Sequence, residues 1–237
     1  MKVDKLICKS QPSNWLQTIT NECLSYPIQG MILNKKDLVV DVGANVGGFA
    51  KAWGHISNNW YLVEPSKYNQ EEIEKNLEGF NYKLFKNAVG DVSGKTLKLQ
   101  KFMNPSEDGP SVDTTSGNMG VSGWIDNNNN HGWHGDYEEV ESISFKDLIG
   151  EREVGLLKVD CEGAEYDFLM NCDLANIKYI VMELHNFLGQ DKQKELCAWI
   201  EKTHNEVFST GGQVISSSYS DDDPAKYNHH LKVWANV

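Results

Sequence analysis

The chain has 237 residues, 40% of them hydrophobic and 10% aromatic, which fits one well-buried globular domain over 1–237 and excludes a disordered polymer. Its 22 basic and 34 acidic residues leave a formal net charge of −12, so nothing in the bulk charge favours a phosphate backbone and no nucleic-acid partner is expected. The five cysteines (Cys8, Cys23, Cys161, Cys172, Cys197) lack C-x-x-C spacing, the start Met1–Lys5 leads into no apolar run, and no window approaches the roughly 20 apolar residues of a membrane span; a cytoplasmic protein with reduced thiols and no membrane partner is expected.

Residues 1–37 read as an amphipathic lead-in. Trp15, Leu16, Ile19 and Cys23 recur at helical spacing behind Asn14 as a cap, and Pro27 stops the helix. Strand and helix then alternate. Leu38–Val42 predicts a first strand, followed by a tight glycine turn and a helix starting near Gly47. Trp60–Val63 predicts a second strand, Ser66–Leu77 a charged helix stopped by Gly79, and Tyr82–Phe85 a third strand. After a turn at Gly94, Thr96–Phe102 alternates as a strand should. Residues 103–137 are rich in Gly, Asn, Ser and Asp, yet carry Trp124, His131, Trp133 and His134. An inserted loop of that length and content predicts a lid over an acceptor pocket. Gly155–Val159 predicts a fourth strand with a helix from about Ala164, and Tyr179–Leu184 a fifth. Lys192–His204 reads as a helix with Leu196, Trp199 and Ile200 on one face. Gln213–Tyr219 and Leu231–Trp234 read as a closing pair of strands. This alternation predicts an α/β fold with a mostly parallel sheet, covered on both faces, and an antiparallel C-terminal edge.

The densest chemical information lies in Val40-Asp41-Val42-Gly43-Ala44-Asn45-Val46-Gly47. A strand, a glycine turn and a helix start together present backbone N–H groups to a ligand. The frame is not G-x-G-x-x-G, because Asn45 replaces the middle glycine and Asp41 adds a negative charge at the strand end. A carboxylate there repels a pyrophosphate but suits S-adenosylmethionine, which carries an ammonium and a sulfonium and no phosphate. Glu64 ends the second strand 21 residues after Gly43, where an acidic side chain binds ribose hydroxyls in folds of this kind.

A second cluster, Lys158-Val159-Asp160-Cys161-Glu162-Gly163-Ala164-Glu165, ends the fourth strand, and Met182-Glu183-Leu184-His185 ends the fifth. Ligands of open α/β sheets bind outside the carboxyl ends of the strands. Asp160, Glu183 and His185 are therefore the candidate catalytic residues, with His185 or a carboxylate suited to take a proton near neutral pH. Glu165 divides evenly between a site role and a helix-start role.

These segments, with Val63-Glu64-Pro65 and Asn87-Ala88-Val89-Gly90-Asp91, resemble the FkbM family of S-adenosylmethionine-dependent methyltransferases over about residues 38–188. The resemblance implies a doubly wound, seven-strand Rossmann-like sheet and methyl transfer to a hydroxyl oxygen of a sugar or secondary-metabolite-like acceptor. It implies that Asp41, Gly43, Asn45 and Gly47 cradle the methionine part of the cofactor. It implies further that Glu64 takes the ribose, that Asn87, Ala88 and Val89 line the adenine edge, and that Asp160 sits near the methyl group. Three alternatives stand beside it, of which a nicotinamide oxidoreductase is the weakest, because Asn45 breaks the glycine frame. Another is a metal-assisted O-methyltransferase in which Asp160, Glu162, Glu183 and His185, with His131 or His134, would hold a divalent ion. No residue is assigned to a metal on spacing. The third is a cofactor-binding protein without turnover.

Overall fold

The computed structural model describes residues 23–100, 137–161, 163–170, 172–184, 190–210 and 230–236. Ten strands are seen in these residues: β1 Leu38–Val42, β2 Asn59–Val63, β3 Lys83–Phe85, β4 Ala88–Gly90, β5 Thr96–Gln100, β6 Tyr137–Ser144, β7 Val154–Val159, β8 Ile177–Leu184, β9 Asn205–Ser209 and β10 His230–Ala235. The helices are α1 Gly48–Trp53, α2 Lys67–Asn76, α3 Phe145–Ile149, α4 Glu165–Leu169 and α5 Gln190–Ile200. Seven strands form the main sheet in the order β3-β2-β1-β7-β8-β10-β9, and β4-β6-β5 form a smaller one. The neighbours from β3 to β8 run parallel, and β10 runs antiparallel to both β8 and β9.

β1 and β7 are buried along their whole length, which is why LVVDV and VGLLKV read as near-continuous apolar runs. Alternation divides their side chains between two cores. Val40, Val42, Leu157 and Val159 face one, with Phe168 and Trp234. Val39 and Leu156 face the other, with Tyr26, Phe49 and Trp60. Asp41 and Lys158 are the polar members of that second face, and they stand opposite each other in register.

The chain order reverses between β1 and β7. Val42 pairs with Val63 on one side and Val159 on the other, and Val159 pairs with Met182. The strand ends are therefore level, and Gly43, Glu64, Asp160 and Glu183 arrive at one edge of the sheet, at the switch point where such folds bind ligands.

Several elements differ from expectation. The helix expected to reach His204 ends at Ile200. His204 is buried instead, its Nε2 donating to the Ile177 carbonyl at 2.9 Å and its Nδ1 meeting the Thr203 hydroxyl at 2.8 Å. On its outer side β10 pairs with β9, and the expected Gln213–Tyr219 strand lies outside the described residues. β6 and α3 were not expected at all. Tyr137, given to the inserted loop, instead opens β6, which pairs along β5 from Tyr137↔Gln100 to Glu141↔Thr96. The lead-in before Cys23, with Asn14, and the lid residues 103–136 with their tryptophans and histidines lie outside the described residues.

Candidate active site

The turn after β1 requires left-handed backbone at three places: Gly43 (φ 75°), Asn45 (φ 50°) and Gly47 (φ 83°). Asn is among the few L-residues that tolerate this region, so Asn45 keeps the turn that a glycine would otherwise make. The turn is tied to β2 through Gly43 N–H and Ala44 N–H, which donate to the Val63 carbonyl at 3.0 and 3.1 Å. It also meets the end of β7 closely: a Cβ on Gly43 would lie 1.7 Å from the Asp160 carbonyl oxygen.

Glu64 braces the same turn. Its Oε2 accepts from the Asn45 N–H at 2.9 Å, and its Oε1 accepts from the Ser66 N–H at 2.8 Å and from Asn69 Nδ2 at 3.3 Å. A carboxylate offers about four acceptor positions, so one on Oε2 is left for a ligand hydroxyl. The side chain is only 4% exposed. Burial pushes its carboxyl from 4.5 up to about 7, against the pull of the three donors. A folded-state value above the ordinary one means that the contribution of Glu64 to stability is fully present below about pH 4.5. It is lost as pH rises through about 7, which amounts to about 3 kcal/mol over the interval. Urea unfolding of the ligand-free protein at pH 5 and pH 8 should show that loss in the wild type and a much flatter dependence in Glu64→Gln. Equal slopes would mean that Glu64 is ionised throughout.

The second centre is Lys158. Its Nζ lies 3.1 Å from Asp41 Oδ1 and 3.5 Å from Asp160 Oδ2, and it donates to the Gly43 carbonyl at 2.9 Å. Burial pushes the Asp41 carboxyl up, and the ammonium opposes it. The two carboxylates hold Lys158 above its usual range despite burial. Those two effects pull opposite ways on one pair. The donor geometry around Lys158 decides it: the proton stays on the amine and Asp41 is its counter-ion. Asp41 is 0% exposed, whereas the Asp160 side chain is 19% exposed. Asp160 Oδ2 also accepts from the Tyr26 hydroxyl at 3.2 Å.

The remaining expected residues fall as follows. Asn87 Nδ2 donates to the Glu141 carbonyl at 3.3 Å, tying the β3–β4 link to β6, and Ala88 and Val89 are buried. Glu183 is half-buried on β8, on the face of Val181. Glu165 opens α4, fully buried, and its Oε1 accepts from the Cys161 N–H at 3.2 Å. His185, Glu162, His131 and His134 lie outside the described residues. Among the described residues, no group of three or more His, Cys, Asp and Glu side chains is gathered as for a metal, and all four cysteines have free thiols. No helix among them is long and apolar enough to cross a membrane.

Beside Pro65 and Asn87 lies a groove of about 510 Å³ whose walls include Glu71 and Glu74 of α2 and Glu138, Glu139 and Glu141 of β6. Among the described residues, Lys67 and Lys86 are its only basic residues. Such walls oppose phosphate groups.

Two residues central to this geometry were not assigned from the sequence. Lys158 is a cation in a fully buried strand, and that alone calls for a buried anion. Tyr26 left no such signal.

The family model for the methyltransferase FkbM domain matches residues 41–209, about seven-tenths of the chain. No match is found among curated proteins. Among solved structures, the chain is similar to a methyltransferase FkbM from Methylobacillus flagellatus KT, at 10% identity and a TM-score of 0.50. That alignment covers 94% of this chain and 56% of the other, so this chain spans little more than half the length of that protein. It also resembles an rRNA methylase from Streptococcus thermophilus (6% identity, 98% and 99% of the two chains, TM-score 0.44). A further neighbour is TrmK of M. capricolum in complex with S-adenosyl-homocysteine (11% identity, 96% and 70% of the two chains, TM-score 0.40).

Proposed function

Because the chain belongs to the FkbM family of S-adenosylmethionine-dependent methyltransferases, we propose that it transfers a methyl group to a hydroxyl oxygen of a small, sugar-like acceptor. The observation that carries this reading is the convergence of Gly43, Glu64 and Asp160 at the switch point of the sheet, with acidic surroundings. Those residues fit the cofactor by their chemistry. Glu64 keeps an acceptor position for a ribose hydroxyl. Asp41, Lys158 and Asp160 together leave one net negative charge, which complements a sulfonium or an ammonium and repels a pyrophosphate.

S-adenosylmethionine, when bound, supplies an electrophilic methyl group. The chain's part is to hold and to orient. Asp41, Gly43, Asn45 and Gly47 would hold the methionine end, Glu64 the ribose, and Asn87, Ala88 and Val89 the adenine edge. Asp160, Glu183 and His185 would face the acceptor, where a carboxylate or the imidazole takes the hydroxyl proton. The net charge of −12 and the acidic groove favour a phosphate-free acceptor over nucleic acid.

The test is transfer of labelled methyl from S-adenosylmethionine to a panel of polyols, glycosides and short RNA. Label in an ether of a polyol or glycoside is expected. Label in RNA alone would overturn the acceptor class. Asp160→Asn should cost turnover more than cofactor affinity, and full activity in EDTA would argue against the metal-assisted version.

A further inference from the structure

We propose that Asn76 is a positioning residue for the cofactor: from the far end of α2 it fixes the peptide plane between Val46 and Gly47, and so holds the methionine half of the site in its binding shape. This rests on the reading of the Gly43–Gly47 turn as the cradle of the methionine part of S-adenosylmethionine.

The inference comes from the buried side of α2. Four of its five buried residues are polar: Asn69, Gln70, Glu72 and Asn76, with Ile73 the exception. A helix that packs on a sheet ordinarily buries an apolar stripe, so this side of α2 has a task besides packing. Three of the four polar residues carry it through hydrogen bonds. Asn69 Nδ2 donates to Glu64 Oε1 at 3.3 Å, and Gln70 Nε2 donates to the Glu64 and Pro65 carbonyls at 2.9 and 3.0 Å. At the other end of the helix, Asn76 Nδ2 donates to the Val46 carbonyl at 2.8 Å. The start of α2 thus holds the residue read as the ribose ligand, and its end holds the turn.

Asn76 decides what the turn leaves open. In a trans peptide the C=O and the N–H point opposite ways. With the Val46 carbonyl drawn to Asn76, the Gly47 N–H faces the other way, where it donates to the Ala44 carbonyl at 2.8 Å. Gly47 has φ 83°, and glycine takes either sign of φ with ease, so the glycine alone leaves this plane free to flip. Val46 is 0% exposed, and a carbonyl buried there needs a donor. The same helix end closes on the glycine, since a Cβ on Gly47 would stand 3.1 Å from Leu77 Cδ1. Asn76 is itself well held: it is buried, and its carbonyl accepts from Lys51 Nζ of α1 at 3.1 Å.

The experiment measures dissociation constants of two ligands for the full chain by calorimetry. One is S-adenosylhomocysteine. The other is methylthioadenosine, which keeps the adenosine and the sulfur but lacks the amino-acid part. The proteins are wild type, Asn76→Ala, Asn76→Leu, which removes the donor at similar volume, and Glu64→Ala. Asn76→Ala and Asn76→Leu should weaken S-adenosylhomocysteine about tenfold, as for a turn in its binding shape in about a tenth of the molecules, and leave methylthioadenosine within about twofold. Glu64→Ala should weaken both ligands, and unchanged affinities there would overturn the division of the site into two halves. A wild type with no affinity for either ligand would overturn the cofactor reading itself. Saturable S-adenosylhomocysteine binding in the wild type, with the same affinity in both Asn76 variants, would overturn the role of Asn76 alone. Equal loss of both ligands in the Asn76 variants, or loss of folding in both, would mark the side chain as merely structural and overturn that role too.

Discussion

Gly43→Ala should be the most damaging single substitution in the site. The added Cβ would stand 1.7 Å from the Asp160 carbonyl oxygen and 2.7 Å from its carbon, both backbone atoms that no rotamer change can move aside. The position also has φ 75°, which any L-residue adopts at a cost. Strain and overpacking together should lower stability by about 2–5 kcal/mol. The turn can relieve the overlap only by moving away from β7, which carries Asp41, Asn45 and the Glu64 contact out of place. A shift of about 1 Å in such a constellation costs on the order of a hundredfold in turnover. Urea unfolding and cofactor titration of the same sample check both effects. A Gly43→Ala protein with wild-type stability and affinity would show that the β1 turn and the β7 end do not meet.

Lys158→Met should come second. It leaves the 0% exposed carboxylate of Asp41 without its counter-ion and removes the 2.9 Å bond to the Gly43 carbonyl. Breaking a buried pair by deleting one partner costs about 3–5 kcal/mol, because the survivor stays buried and charged. Replacing both members is far milder, so Asp41→Leu in the Lys158→Met background should recover at least half of the lost stability while cofactor binding remains impaired. Denaturant midpoints of the two single variants and the double variant give the comparison. Stability of Lys158→Met within about 1 kcal/mol of wild type would mean that water, not Lys158, solvates Asp41.

Much of this architecture was legible in the sequence for physical reasons. A strand buried on both faces must be apolar throughout, so Leu38–Val42 and the strand ending at Val159 stood out. The interruption at Asp41 was visible because charge in such a strand is costly, and the same cost marked Lys158, although no role was assigned to it. The turn residues Gly43, Asn45 and Gly47 were readable because few residues adopt positive φ. β6 was not, because a strand with Glu138, Glu139 and Glu141 on a partly exposed sheet looks like a solvated loop until its pairing with β5 and β4 is known. The boundary between α5 and β9 was missed because His204 continues the helical pattern locally, while its tertiary bond to Ile177 ends it. The bond from Tyr26 to Asp160 spans 134 residues, which no local period encodes. Glu64 was expected to face a ligand; it also accepts three protein donors, so its loss should cost stability as well as affinity.

The ends of β1 and β7 are proposed to hold S-adenosylmethionine. Calorimetric titration of the wild-type chain with S-adenosylhomocysteine and with NAD, repeated on Gly43→Ala at a temperature where that variant stays folded, tests it most directly. Saturable binding of S-adenosylhomocysteine at one site per chain is expected, with no measurable binding of NAD and a clear loss of S-adenosylhomocysteine affinity in Gly43→Ala. Binding of NAD in preference to S-adenosylhomocysteine, or unchanged S-adenosylhomocysteine affinity in folded Gly43→Ala, would contradict it.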